Sequence, residues 1–382
     1  MGMKYKLITD EQKDLLSVVA EFGKNTVIPI SAECDQKNIF PMEAYQEAFN
    51  IGLHMLDMPE ELGGAGVGAE TALLIAEELG KYDAGFATGV FATGLAAKAV
   101  LVKGTQEHIR KFAEIVKEKG FAAFALTEAN AGSDAGATKT KAVLEGDEYV
   151  INGSKCFITN GGCAGVYVVI AITDPSKGQR GLSAFLVEAD RPGISVGKEE
   201  DKMGIRLSNT TEVIFEDVRI PKENLMGKEG DGFRIAMATL DKARPVAGAV
   251  AVGIAERAIE ECKNYMLVRK TFGKPIAMHQ ALQFKLADME MKTQAAKEYI
   301  RYVGRLIDAG ENFTEEAAIC KAFASDVAMQ VTTEAVQIFG GYGYSREYPI
   351  EKLMRDAKIF QIFEGTNEIQ RMIIAGQVLS SR

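Results

Sequence analysis

The stretch IFQIFEGTNEIQR, Ile359 to Arg371, carries a carboxylate, Glu364, set between an aromatic, Phe363, and a glycine, Gly365. The flanks have the apolar–polar period of a helix, and glycine is the least helix-favouring residue short of proline. The acid therefore stands where the helix pattern breaks. A carboxylate pressed against an aromatic ring loses hydration, its pKa climbs, and it becomes a better proton acceptor. A neighbouring glycine lets the backbone approach a ligand with no side chain in the way. The alternative for Glu364 is a carboxylate on a solvated helix face.

Two further stretches have residue types suited to a ligand. FALTEANAGSDAGATKTKA places Thr127, Asn130, Gly132, Ser133 and Asp134 close together. Small residues and hydroxyls there bring N–H groups near a phosphate or a polar ring edge, or else form a solvated turn. QIFGGYGYSREYPIEKLMRDAKI puts Gly340, Gly341 and Gly343 after a helical run. They either end that helix or line a ligand.

Several chemistries are disfavoured. The chain has no GxxxxGK[ST], no HExxH and no GxSxG, and GGAGVG (Gly63 to Gly68) follows Pro-Glu-Glu-Leu rather than a strand. That sequence reads as a plain loop, which argues against a Rossmann nicotinamide site. His54, His108 and His279 are too scattered for a metal site, and a net charge of −9 argues against a nucleic-acid partner. Five cysteines without a CxxC pair read as reduced thiols of a cytoplasmic protein. The polar start MGMKYKLITDEQKDLL is not expected to be a secretory leader.

Three zones position these residues. Residues 1–122 read as helical, with FPMEAYQEAFNIGL opening on Pro41 at the first helical position and stopping at Gly52. AGFATGVFATGLAAKAVLV, Ala84 to Val102, imitates a membrane span. Its Lys98 and its Ala, Gly and Thr content favour a tightly packed core helix. Residues 123–232 alternate short apolar runs with turn signals, including Asn152-Gly153 as a hairpin turn within EYVINGSKCFIT. The spacers are too short for crossover helices, so this zone reads as an antiparallel β-domain. Residues 233–382 are helical again, with Leu282, Leu286, Met289, Ala296, Val303 and Leu306 on one face, and Asn312 with Glu315 as a capping box for a helix to Phe339. The fold class is α+β.

LTEANAGSDAG, GDEYVINGSKCFITNGG, MGIRLSNTTEVIFEDVRIPKENLMG, GDGFRIAMATLDKARPVA, RKTFGKPIAMHQA, AVQIFGGYGYSREYPIEKLMRDAKI and QIFEGTNEIQR stand in order along nearly the whole chain. Together they resemble the acyl-CoA dehydrogenase family of flavoproteins, short- and medium-chain-like bacterial members in particular. The resemblance implies an N-terminal helical domain, a central β-domain and a C-terminal four-helix domain. It also implies FAD in the cleft between the last two, shared across a dimer interface, and a homotetramer built as a dimer of dimers.

By the same resemblance, Phe124 to Ser133, with Leu126 and Gly132, would wrap the flavin, Thr127 meeting its pyrimidine edge and Ser133 a phosphate and the substrate. Phe157, Ile158 and Thr159 would line its other side. Arg269, Thr271, Phe272, His279 and Gln280 would come from the adjacent subunit to the FAD pyrophosphate and adenosine, with Gln337, Gly340 and Gly341 cradling the same region. Thr366, Asn367 and Glu368 would sit on the adenine side, and Asp241 and Arg244 would hold the pantetheine of CoA and position the C-terminal helices. The implied reaction is α,β-dehydrogenation of an acyl-CoA thioester. Glu364 would take the α-proton, the Gly365 N–H would donate to the thioester carbonyl, flavin N5 would receive the β-hydride, and electron-transferring flavoprotein would accept the electrons.

Some relatives carry the base on another helix, at the position of Ala243, which cannot serve here. Phe363 stands where Tyr is common, which makes the cavity drier, and Ala129 replaces a usual Pro. GVFATGLAAKAVLVKG, Gly89 to Gly104, is about one helical turn shorter than expected of short- and medium-chain members, by 3.6 residues per turn. Phe91, Ala92, Thr93 and Leu95 in that segment either line the acyl pocket or pack in the core. The shortening leaves the acyl group open among straight, branched, alicyclic and aromatic. The extension of the membrane-associated very-long-chain type is not expected. An acyl-CoA oxidase, an enoyl-CoA reductase and a non-enzymatic flavoprotein remain as rivals.

Overall fold

Helix-forming runs bracket a strand-rich centre in the computed structural model, which describes residues 7–380. The first zone comprises α1 (Asp10–Phe22), a π-turn (Gly23–Val27), α2 (Ile28–Lys37), α3 (Met42–Asn50), α4 (Ala69–Gly80), α5 (Ala84–Lys103) and α6 (Gln106–Lys119). The centre holds β1 (Ala122–Ala125), β2 (Lys141–Glu145), β3 (Glu148–Thr159), β4 (Val166–Ile172), β5 (Leu182–Glu188), β6 (Ile194–Glu199), β7 (Thr210–Pro221) and β8 (Leu225–Met226). Next come α7 (Gly232–Val268), the two-residue strands β9 (Lys270–Thr271) and β10 (Lys274–Pro275), α8 (Gln280–Asp308), α9 (Thr314–Phe339), α10 (Ile350–Ile359) and α11 (Asn367–Ser380). The expected α–β–α order is therefore observed.

The sheet runs β6-β7-β3-β2-β4-β5-β8, with β1 alongside β4. It is antiparallel except that β1 pairs with β4 in parallel and β2 touches β4 through a single parallel pair, Lys141–Ile172. A helical first zone delivers the chain to β1 from outside the sheet, so no hairpin dictates its direction. α5 has buried residues all along its length and is core. It is the one helix among the described residues long and apolar enough to cross a membrane.

Three local expectations need correction. Asn152-Gly153 is not a turn: both residues lie inside β3, where Gly153 adopts φ +148° at a register shift against β7. A Cβ there would come within 2.7 Å of the Thr140 backbone, so close approach explains the glycine. The β2–β3 turn is instead at Gly146, φ +65°. Pro41 is the N-cap of α3 rather than its first helical residue. Asn312 forms no capping box: Phe313 is the N-cap of α9, and Asn312 Oδ1 only accepts from Thr314 N at 3.4 Å.

α4 and α7 cross at two glycines. A Cβ on Gly253 would lie 2.3 Å from the Glu77 carbonyl oxygen and 2.9 Å from Gly80 C and Lys81 N, all backbone atoms. Gly253→Ala is expected to force the helices apart and destabilise the protein by about 1–3 kcal/mol in urea unfolding. Unchanged stability would show that the crossing tolerates a methyl group. Inside α7, Pro245 lacks the N–H that would bond the Asp241 carbonyl, which loosens the helix beside Asp241 and Arg244.

The three zones meet at a buried ionic joint. Lys352 on α10 donates to Asp83 Oδ2 (2.7 Å) and Asp356 Oδ2 (2.5 Å). Asp83 caps α5 by accepting from Phe86 N at 2.9 Å, and Asp356 accepts from Ile205 N in the central zone at 2.6 Å. Arg355 binds Asp35 of α2 through two guanidinium nitrogens at 3.0 and 2.6 Å. One short helix thus ties both other zones to itself.

Candidate active site

Where the zones converge there is a cavity of about 290 Å³. Phe91 comes from α5, and Phe124, Leu126, Thr127, Gly132, Ser133, Phe157, Ile158 and Thr159 from the central zone. Arg244 comes from α7, and Phe363, Glu364 and Gly365 from the turn between α10 and α11. Residues far apart in sequence are thereby gathered into one site.

The Glu364–Gly365 turn is held in the left-handed region, at φ +58° and +87°. A non-glycine residue rarely adopts such a φ unless its surroundings enforce it. The enforcing contacts are visible. The Glu364 carbonyl accepts from Arg244 Nε (3.4 Å) and Gln370 Nε2 (3.1 Å). The Gly365 carbonyl accepts from Lys321 Nζ (2.7 Å) and Gln370 Nε2 (2.9 Å). With both carbonyls drawn back into protein, the Gly365 N–H has no acceptor among the described residues. A side chain at 365 would meet Gln370 Nε2 at 2.8 Å.

Glu364 is half-buried as a residue, yet its Oε2 is sealed from solvent and has no hydrogen-bond partner. Burial raises its pKa above the ordinary carboxylate range, opposed by the Arg244, Lys321 and Lys98 cations. Lys321 is itself buried and pushed down to about 8 by desolvation, with Glu364 pulling the other way. Burial lowers Arg244, which Asp241 and Glu364 counter, and Arg244 is ion-paired to Asp241. The product is an acid of raised basicity, close to a free N–H, backed by three cations.

A second buried pair shapes the lip of the cavity. Lys155 Nζ donates to Leu126 O (2.9 Å) and Glu128 Oε1 (2.7 Å). Glu128 also accepts from Lys139 N (2.7 Å) and Thr140 N (3.0 Å). Lys155 thus holds the start of the 127–138 segment and Glu128 its far end, leaving Gly132 and Ser133 exposed at its crest. The hydroxyls of Thr127 and Thr159 make no hydrogen bond among the described residues and line the cavity.

Other expected site residues lie elsewhere. Thr93 does not line the cavity: it is fully buried, and its Oγ1 accepts from Ala122 N at 3.2 Å. Asp241 lies outside the lining and accepts from Thr314 Oγ1 at 2.9 Å, so its contact with the cavity runs through Arg244. Asn367 is not free for an adenine. It is buried and bonded to Lys321 (3.0 Å), Ser325 (2.9 Å) and Asp326 (2.8 Å), because the first turn of α11 must satisfy polar groups of α9. Thr366 Oγ1 accepts from Ile369 N at 3.3 Å, and Glu368 is exposed.

Arg269, Thr271, Phe272, His279 and Gln280 form a separate surface. Thr271 Oγ1 and His279 Nε2 are 3.1 Å apart, and the Arg269 guanidinium lies 5.6 Å above the Tyr342 ring. That contact brings Gln337, Gly340 and Gly341, all exposed, to the same face. Phe272 is 95% exposed and Tyr344 88%. Within one chain this face does not border the cavity.

Lys155, Glu128, Lys321, Gln370 and Asn160 do structural work at the site that motif reading passed over. For Lys155 and Lys321 the signal of burial, though not of the partner, is a lysine inside an apolar run, as in SKCFIT and AAICKAFA; nothing local marks Glu128, Gln370 or Asn160. Lysine is rarely fully buried unless paired.

Three family models match in sequence: acyl-CoA dehydrogenase N-terminal domain over residues 9–116, middle domain over 123–218 and C-terminal domain over 230–379. A short-chain-specific acyl-CoA dehydrogenase of Megasphaera elsdenii is 47% identical over 97% of this chain and 99% of its own. Acryloyl-CoA reductase (NADH) of Anaerotignum propionicum is 46% identical over 97% and 95%. The solved structure of butyryl-CoA dehydrogenase from Megasphaera elsdenii superposes with a TM-score of 0.95 at 46% identity, covering 99% of this chain and 100% of that one.

Proposed function

Because the chain belongs to the acyl-CoA dehydrogenase family of flavin-dependent oxidoreductases, we propose that it oxidises an acyl-CoA thioester to the 2-enoyl-CoA with Glu364 as the base. The observation that carries this proposal is the sealed, unpartnered Oε2 of Glu364 on the wall of the cavity. A carboxylate so placed is missing a proton-bearing partner, and the α-carbon of a thioester would supply one.

The residues present suit FAD. Phe124, Leu126 and Ile158 offer apolar surface to a flat ring, while Thr127, Thr159 and Ser133 offer hydroxyls and Gly132 an open backbone. When bound there, FAD supplies the acceptor for the hydride that leaves the β-carbon. Glu364 removes the α-proton. The Gly365 N–H donates to the thioester oxygen as negative charge builds on it, an interaction worth about 3 kcal/mol in comparable sites. Arg244 and Lys321 keep both groups aimed by holding the two carbonyls of the turn. Phe363 and Phe91 keep water away.

Arg269, Thr271, Phe272, His279, Gln280, Gln337, Gly340 and Gly341 would meet the distal half of FAD only when a second copy of the chain brings them to the cavity. That surface supports assembly of at least two copies, and from the family we further propose a homotetramer, a dimer of dimers, with electron-transferring flavoprotein as electron acceptor. The decisive experiment is anaerobic titration of the holoprotein with straight, branched and cyclic acyl-CoAs while following flavin absorbance. Bleaching by none of them would end the proposal.

The pH dependence follows from the sign of the Glu364 shift. A base acts when deprotonated, and a raised pKa moves deprotonation upward. The rate of flavin reduction should therefore rise with pH through an apparent pKa above the ordinary carboxylate range. A rate already maximal at pH 5 would be inconsistent with a desolvated base. The same residues serve the reverse reaction, with Glu364 returning the proton. The reductase among the relatives makes that direction the second reading.

A further inference from the structure

Lys98, the most distant in sequence of the three cations that act on Glu364, lines the cavity and is ion-paired to Asp57, whose own side chain lines only the space beyond. α5 presents Thr88, Phe91, Leu95 and Lys98 to the cavity along one face. Its Gly89 end is fixed beside Thr159, because the next residue, Asn160, donates from Nδ2 to the Gly89 carbonyl at 2.9 Å. Lys98 lies nine residues further along, about 13 Å down the axis at 1.5 Å per residue. There it forms an ion pair with Asp57, the two side chains being 12% and 25% exposed.

Beyond the pair is a second cavity of about 220 Å³ that shares Lys98 and Val246 with the first. Val67, Leu73, Leu101 and Ile307 make its walls largely apolar. Asp308, also in its wall, is already committed to the Ala69 and Glu70 N–H groups at 2.6 and 3.0 Å. Lys242 is the other charged residue in that wall, so the Lys98–Asp57 pair stands between two spaces whose remaining walls are mostly apolar.

We propose that the Lys98–Asp57 pair is the specificity-determining end wall of the acyl site, stopping unsubstituted chains at short length and favouring acyl groups whose tip carries a hydrogen-bonding substituent. A methyl group reaching the pair strips water from two charges and returns no hydrogen bond. A hydroxyl at the same place accepts from Lys98, the member of the pair that lines this cavity. This inference rests on the dehydrogenation assigned above.

The test uses the FAD-loaded wild-type protein with a straight-chain acyl-CoA series, measuring both kcat/KM and ligand affinity. A break is expected, with a loss on the order of tenfold at the first chain that meets the pair. An ω-hydroxyl analogue of that chain, with OH replacing the terminal methyl, should recover the loss. In Lys98→Met/Asp57→Leu, which replaces the pair by apolar groups and leaves no stranded charge, the break should move to longer chains, with about a fourfold gain per added methylene. A wild-type profile without a break, a hydroxyl analogue no better than its parent, or a folded double variant with an unmoved break would each overturn the end wall. If the double variant loses its flavin, the two wild-type measurements still decide. Failure of every acyl-CoA to reduce wild-type flavin would instead strike the dehydrogenation itself.

Discussion

Glu364→Gln should abolish flavin reduction by acyl-CoA, with a loss of roughly 10⁴-fold or more, while FAD content stays at the wild-type level. The amide has the shape of the acid but takes no proton, and general-base contributions reach about 10⁴. The side chain lies against the cavity, not in the packing between zones. Its replacement removes a buried, unpartnered carboxylate oxygen rather than a structural bond. The turn that carries it is held through its carbonyls by Arg244, Gln370 and Lys321, and these contacts persist in the variant. Anaerobic stopped-flow absorbance against the best substrate of the titration panel is the measurement. Reduction within about tenfold of wild type, far inside the range expected of a lost base, would move the proton acceptor elsewhere.

Lys352→Met should cost about 3–5 kcal/mol in urea unfolding, the usual result of stranding a buried charge. Here two carboxylates are stranded, Asp83 and Asp356, 3% and 0% exposed. The loss should reach the active site as well, because Asp83 caps α5 and α5 carries Phe91 and Lys98 into the cavity. A second substitution separates charge from packing. Lys352→Met/Asp356→Asn should be more stable than Lys352→Met alone, since neutralising one acid relieves the repulsion between the two. If adding Asp356→Asn instead lowers stability further, the joint is held by the shape of its hydrogen bonds and not by charge balance.

The order of zones was legible because hydrophobic period changes from helical to alternating and back, and period reflects burial directly. α5 was legible as core for the same reason: Lys98 breaks an otherwise apolar span. Asn152-Gly153 misled because a strong local turn signal was overruled by tertiary contact. The glycine is there to let β3 pass close to Thr140, and the true turn at Gly146 has weaker chemistry. Asn312 misled in the same way, by local pattern without regard to where α9 actually enters the bundle.

At the site, residues that face the cavity carried recognisable motifs, whereas the residues that hold them did not. Lys155, Lys321 and Gln370 act on carbonyl oxygens or on another side chain across long sequence distances, and no local pattern encodes such a pairing. Asn367 shows the converse. It stands inside QIFEGTNEIQR, beside the proposed base, yet its side chain is consumed by α9.

The ionic joint around Lys352 bears on how a ligand gets in and out. Zones locked together by buried charge do not swing apart like jaws, so exchange falls to the small crest at Gly132 and Ser133, exposed and free of close neighbours at the glycine. An acyl-CoA would then enter past that crest, between zones that the joint holds in place. Breadth of the acyl group would then be selected at the entrance and its reach at the far end, two separate filters on one ligand.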